Sequence, residues 1–80
     1  GDSAEALRFF EGLAAEQPEY VGTYYHLGKL YETLGRPEEA IVTYRTGIEV
    51  AQRQKAFHDL AELRGALLEA QGLGFDDEMG

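Results

Sequence analysis

The sequence predicts an all-α fold in which antiparallel helical hairpins stack as a short solenoid of about four helices. Three observations carry this prediction: a 34-residue internal repeat, apolar residues at helical spacing, and glycine or proline where those periodic runs stop. Glu5, Ala6, Leu7, Phe10, Leu13 and Pro18 align 34 residues on with Glu39, Ala40, Ile41, Tyr44, Gly47 and Gln52, and the residue class recurs at the first four pairs. A second register, offset by 37, sets Gly28, Leu30, Tyr31, Leu34 and Gly35 against Gly65, Leu67, Leu68, Gln71 and Gly72. It implies three residues inserted between Val50 and Leu60.

The first helix is expected over residues 3–16, where the repeat copies the apolar stripe of the third. The second spans 20–34. From Tyr24, the residues Leu27, Gly28, Tyr31 and Leu34 follow at i+3, i+4, i+7 and i+10, and Gly35 supplies a left-handed stop. Arg36 and Pro37 then make a turn, with proline at the first helical position and Glu38 and Glu39 complementing the positive helix end. The third helix, 37–52, carries Ala40, Ile41, Tyr44, Ile48 and Ala51 on one stripe, with Gly47 among them. Gly28 and Ala40 are expected where the two helices cross, because small residues let backbones approach closely. A glycine in mid-helix costs about 1 kcal/mol relative to alanine, and close packing is the compensation.

The fourth helix is expected over 56–71, closed by Gly72. No glycine or proline marks the turn before it, so either Gln52–Ala56 makes the turn or the third helix runs on. Residues 1–72 thus form one helical repeat domain, and 73–80 an acidic tail expected to be mobile.

The run Tyr24, Leu27, Gly28, Tyr31, Gly35, Ala40, Tyr44, Gly47 resembles the tetratricopeptide repeat pattern of aromatic, Leu, Gly, Tyr, Gly, Ala, aromatic, Ala. Gly47 departs from the usual alanine, and Gln52 from the usual closing proline, which Pro18 keeps one repeat earlier. The resemblance covers about two repeats and implies a right-handed α-solenoid. In its order the four helices are B, A, B and A. Gly1 then falls in the turn after a preceding helix A, so upstream sequence is expected. Arg64 stands where the family has leucine, which suits a last helix with one face in water.

The resemblance also implies a function. Consecutive A helices line a concave groove that binds a peptide or a helix of a partner. Carried over by position, the groove residues are Tyr25, His26, Lys29, Glu32 and Thr33, with Gly22, on one helix. On the next they are Asp59, Glu62, Leu63 and Glu69, with Ala66 and Ala70. One lysine against Glu32, Asp59, Glu62 and Glu69 suggests a basic ligand with an apolar anchor, for which Tyr25 and Leu63 are the contacts. Family members that clamp a C-terminal carboxylate use Lys, Asn and Arg. Tyr25, His26, Glu62 and Leu63 stand in those places here and do not support that ligand.

Composition narrows the alternatives. Seven Lys and Arg against fifteen Asp and Glu give a net charge of −8, which opposes nucleic acid and anionic membranes. With no cysteine there is neither a disulfide framework nor a thiolate zinc site. No apolar run approaches ~18 residues and no signal-peptide pattern opens the chain, so a soluble, cytoplasmic protein is expected. His58 and Glu62 have metal-ligand spacing with Asp59 adjacent, but a third ligand is missing. Without nucleophile motif or phosphate loop, the chain is read as a non-enzyme with no cofactor. The alternative function is homo-oligomerisation through the open solenoid ends, where Phe9, Phe10 and Tyr24 are expected to lie partly uncovered.

Overall fold

The computed structural model describes residues 2–79, with side chains through Gly72. Four helices follow one another: α1 (Asp2–Glu16), α2 (Gly22–Thr33), α3 (Pro37–Gln54) and α4 (Phe57–Met79). The described residues contain no strand. Each helix packs on the next, and α2 also touches α4. The Cα extents are 41 × 35 × 15 Å, and the short dimension is that of two helix layers. No helix among the described residues is long and apolar enough to cross a membrane.

The core lies between α2, α3 and α4. Tyr24, Leu27 and Tyr31 of α2 meet Ala40, Tyr44, Val50 and Ala51 of α3, and Leu63, Ala66 and Ala70 of α4 close it. Tyr44 is 0% exposed and lies against Gly28 so closely that an added β-carbon would stand 2.1 Å from Cε1 of its ring. The crossing expected from the small residues is therefore present, with a tyrosine ring filling the notch. At Gly47 a β-carbon would come within 2.6 Å of the Tyr24 Cβ and 3.2 Å of both Leu63 methyls. This tightness accounts for glycine where the family has alanine.

The two inter-helix stops share one geometry but not one residue type. After α2, Gly35 has φ 74°; its N–H donates to the Glu32 carbonyl at 3.0 Å and the next, of Arg36, to Tyr31 at 2.8 Å. After α3, Lys55 adopts φ 59°, its N–H donates to Gln52 at 3.2 Å, and Ala56 donates to Ala51 at 2.9 Å. Both are Schellman closures. The chain turns at Lys55 without glycine, so of the two readings open in the sequence the turn within Gln52–Ala56 is the one realised. The N-terminal connection is held by side chains instead: the Tyr24 hydroxyl donates to the Pro18 carbonyl at 2.6 Å, and Gln54 Nε2 to the Glu19 carbonyl at 2.5 Å.

Two expectations for α4 are corrected. The offset of 37 puts Ala61, Arg64, Gly65 and Leu68 on the inner face, yet all four are exposed, Leu68 at 68%. The inner face is Leu60, Leu63, Ala66, Leu67 and Ala70. An offset of 36 aligns Leu60, Leu63 and Leu67 with Tyr24, Leu27 and Tyr31. A slip of one residue turns a helix by about 100°, enough to exchange core and surface. The helix also runs through Gly72 to Met79 rather than closing there. The side chains from Leu73 on, where the mobile acidic tail was expected, lie outside the described residues.

Tyr24 is likewise better covered than expected at an open end, being 6% exposed, whereas Phe9 is 64% exposed and Phe10 half-buried.

The glycine contrast gives a measurable pair. Gly28→Ala drives a β-carbon into a buried ring and should destabilise by about 2–3 kcal/mol, whereas Gly65→Ala, with nothing within 4 Å of its β-carbon, should stabilise by about 0.5–1 kcal/mol. Urea unfolding of the two variants reads both signs. Lys55→Gly relieves a left-handed residue and should raise the melting temperature, by an amount corresponding to about 0.5–1 kcal/mol.

Candidate functional site

Helical spacing assigns the exposed side of α2 before any contact is considered. Tyr24, Leu27 and Tyr31 point into the core, so Tyr25, Lys29 and Glu32 at i+4 and i+7 share another face. The structure seats that face beside α4 and the end of the Tyr44 side chain. Lys29 Nζ reaches Glu69 Oε1 of α4 at 3.4 Å and stands 5.6 Å from the Tyr25 ring centroid. Glu32 accepts a hydrogen bond from the Tyr44 hydroxyl. Tyr25, Lys29, Glu32 and Glu69, all expected in the groove, are thus brought together where α2, α3 and α4 meet.

The electrostatics of this junction centre on Tyr44. Burial, then the bond to Glu32, then the charge of Glu32, hold its hydroxyl well above the ordinary tyrosine range, with Tyr25 and Glu69 adding to the effect. It is a fixed donor at the floor of the junction, and Glu32 is a half-buried acceptor rather than a freely solvated charge. Tyr44 was assigned to packing from the sequence. Its polar role has one sequence signal, the general need of a buried tyrosine hydroxyl for a partner, which does not say which residue supplies it.

The remaining candidates are more dispersed. His26 is exposed, edge-on to Tyr25 at 5.8 Å and stacked on Phe10 of α1 at 5.8 Å, which places it at the α1 side of the face. The Thr33 hydroxyl donates back to the Lys29 carbonyl at 3.1 Å. Glu62 is exposed and paired with His58 at 3.5 Å on its own helix, about 10 Å along the axis from Glu69. Asp59 is half-buried one turn before Leu63. Among the described residues no three His, Asp or Glu side chains converge as metal ligands.

Leu63 does not belong to the groove. It is 1% exposed and packs on Gly47 and the core, and Ala66 and Ala70 are buried with it. The cause is the one-residue register slip already described, which also turned Leu68 outward. The apolar contact left on the face is Tyr25, half-buried under Lys29.

On the opposite side of α2, Tyr31 is held differently. Its hydroxyl donates to Glu11 Oε2 of α1 at 2.6 Å, and burial followed by that bond pushes it up to about 12. A raised folded-state pKa means the folded chain keeps this proton after the unfolded chain has lost it. The stabilisation is full below about pH 10 and is lost as pH rises toward 12. Tyr31→Phe should therefore flatten the alkaline fall in stability across that window, as read by urea midpoints measured at successive pH values.

Comparison with known proteins agrees with this architecture. The tetratricopeptide repeat family model matches residues 1–63. The chain is similar to a tetratricopeptide repeat domain protein from Salinibacter ruber solved by NMR, at 53% identity and TM-score 0.87, over 91% of this chain and 74% of that one. A crystal structure of a tetratricopeptide repeat domain protein from the same organism matches at 55% identity and TM-score 0.85, covering 89% of this chain and 80% of that one. No curated protein matches.

Proposed function

Because the chain belongs to the tetratricopeptide repeat family, whose fold is in general that of a protein-interaction module, we propose that it binds a peptide or helix of a partner protein across α2 and α4. Members of the family are typically non-catalytic scaffolds. The observation that supports the site is the junction itself: Lys29 bridging to Glu69 over the Tyr25 ring, with Glu32 and the Tyr44 hydroxyl beside it. Glu32 and Glu69 lie at the junction with Lys29, and Glu62 stands exposed further along α4, so carboxylates outnumber the one lysine and the surface favours a ligand carrying lysine or arginine. The apolar anchor of that ligand rests on Tyr25 alone, since Leu63 is buried. The protein is proposed to act in the cytoplasm, without a cofactor.

Self-association is a second reading. Phe57 and Leu68 of α4 are 69% and 68% exposed, and Phe9 of α1 is 64% exposed, so apolar surface stands open at both outer helices of the stack.

Titration with a peptide library varied in charge tests the groove. Peptides pairing a basic residue with a large apolar one should bind most tightly, and Glu62→Lys and Glu69→Lys should each weaken them roughly threefold to tenfold, with an effect that shrinks at high salt. A preference for acidic peptides, or indifference to both substitutions, sinks the basic-ligand reading. Sedimentation over a range of concentrations addresses the second reading, for which Leu68→Lys should shift a concentration-dependent mass toward the monomer.

A further inference from the structure

The face of α2 opposite the groove carries a second concave surface. Lys29 and Tyr31 are two residues apart and so about 200° apart around the helix. Beside Tyr31, between α2 and the first half of α3, lies an open cleft of about 370 Å³ lined by Tyr31, Glu38, Glu39, Val42 and Thr43. Its floor is the buried tyrosine ring. Its wall is Val42, which is 61% exposed although it sits between core residues in sequence. The Thr43 hydroxyl is already engaged, donating to the Glu39 carbonyl at 2.8 Å.

The chain itself shows which chemistry this cleft holds. The Arg36 guanidinium lies 4.9 Å from the Tyr31 ring centroid and donates to both Glu39 oxygens, at 2.5 and 2.6 Å. That hydrogen bond holds the Glu39 carboxyl below its ordinary value. One guanidinium is thus accommodated by an aromatic face and a carboxylate at the edge of the cleft. Arg36 donates to Glu39, and the charge of Glu11 at the Tyr31 hydroxyl also acts on it. Glu38 beside it has no ion-pair partner among the described residues. Apolar wall, aromatic floor and the unpaired Glu38 carboxylate together complement an arginine side chain, whose stem is apolar and whose planar head both stacks and pairs with carboxylates. A shallow opening of this kind suits a side chain presented by a macromolecule rather than an enclosed small molecule.

We propose that this cleft is a second docking site, which takes an arginine side chain of a partner protein with its stem on Val42 and its guanidinium at Glu38. The site is independent of the groove between α2 and α4 and does not rest on it.

Amide NMR titration of the whole chain with the blocked tripeptide acetyl-Gly-Arg-Gly-amide tests it, with the citrulline peptide as a neutral control of nearly the same shape. Saturable shifts centred on Tyr31, Glu38, Val42 and Thr43 are expected from the arginine peptide and not from citrulline. Glu38→Gln should weaken binding about three- to fivefold, and Val42→Ser should also weaken it, while Glu62→Lys in the groove leaves it unchanged. Both substituted side chains are exposed, and the undisturbed remainder of each spectrum reports that the fold is retained. Shifts centred on Lys29 and Glu69, equal responses to citrulline, unchanged affinity in Glu38→Gln, or no saturable shift at millimolar peptide would each overturn the proposal.

Discussion

The approach of α2 to α3 at Gly28 is the constraint from which the other features follow. The Tyr44 ring occupies the volume a β-carbon would need, so the helix separation, the burial of the ring and the absence of a side chain at residue 28 are one fact. A ring seated that deeply brings its hydroxyl out at the far side, where it must find an acceptor. Glu32, one turn beyond Gly28 on the same helix, supplies it. The contact that spaces the core therefore also sets a hydroxyl and a carboxylate beside Tyr25 and Glu69, and core and candidate groove share a residue.

The same device recurs at the other core tyrosines. Tyr24 and Tyr31 bury their rings and direct their hydroxyls to different elements, to Pro18 in the α1–α2 connection and to Glu11 in α1. Phenylalanine at these places would keep the packing and lose the tie. This matters most for α1, which has no fully buried residue and contributes Leu7, Phe10 and Ala14 only as partly covered contacts. The acidity of the chain is in part spent this way: Glu11 and Glu32 accept from tyrosines, and Glu19, Glu39 and Glu69 pair with Arg53, Arg36 and Lys29. A count of charges cannot separate these carboxylates from those that remain open to a ligand.

What the sequence made legible follows from how strongly each signal is tied to geometry. The offset of 34 joins residues of matching class at Glu5, Ala6, Leu7 and Phe10 and relates the first helix to the third, while the second is read from its apolar spacing and the Gly35 stop; all three lie within a few residues of their expected bounds. The offset of 37 hung on Gly28 and Gly65, and glycine is ambiguous: the first sits in a close crossing, while the second meets nothing within 4 Å. Aligning them by residue type equated a packing glycine with a surface one, and the one-residue error carried Leu63 from the core into the groove. The stop at Lys55 was illegible for a related reason. A left-handed residue is signalled by glycine, and here a lysine adopts that conformation within the hydrogen bonds that close α3. Within the proposed site, the residues of α2 lie on the face expected for them because Tyr24, Leu27 and Tyr31 fix its orientation, whereas on α4 only residues that both registers leave exposed, such as Glu62 and Glu69, stay at the surface.

The two concave surfaces on α2 are built alike, and this constrains how either can choose a ligand. Each holds one of the chain's own cations over a tyrosine ring and against a carboxylate: Lys29 on Tyr25 with Glu69, Arg36 on Tyr31 with Glu39. An incoming basic side chain meets an internal competitor of the same sign in both. At the groove that competitor is weakly held, since an exposed ion pair contributes less than about 1 kcal/mol and an exposed cation–π contact about 0.5–1 kcal/mol. Exchange of one cation for another is then close to neutral, and charge steers encounter more than it sets affinity. Discrimination has to come from apolar surface that the internal cation leaves uncovered. The groove offers the remainder of the Tyr25 ring, and the cleft offers Val42, so partners selected by the two faces differ in the apolar group they carry beside the basic one.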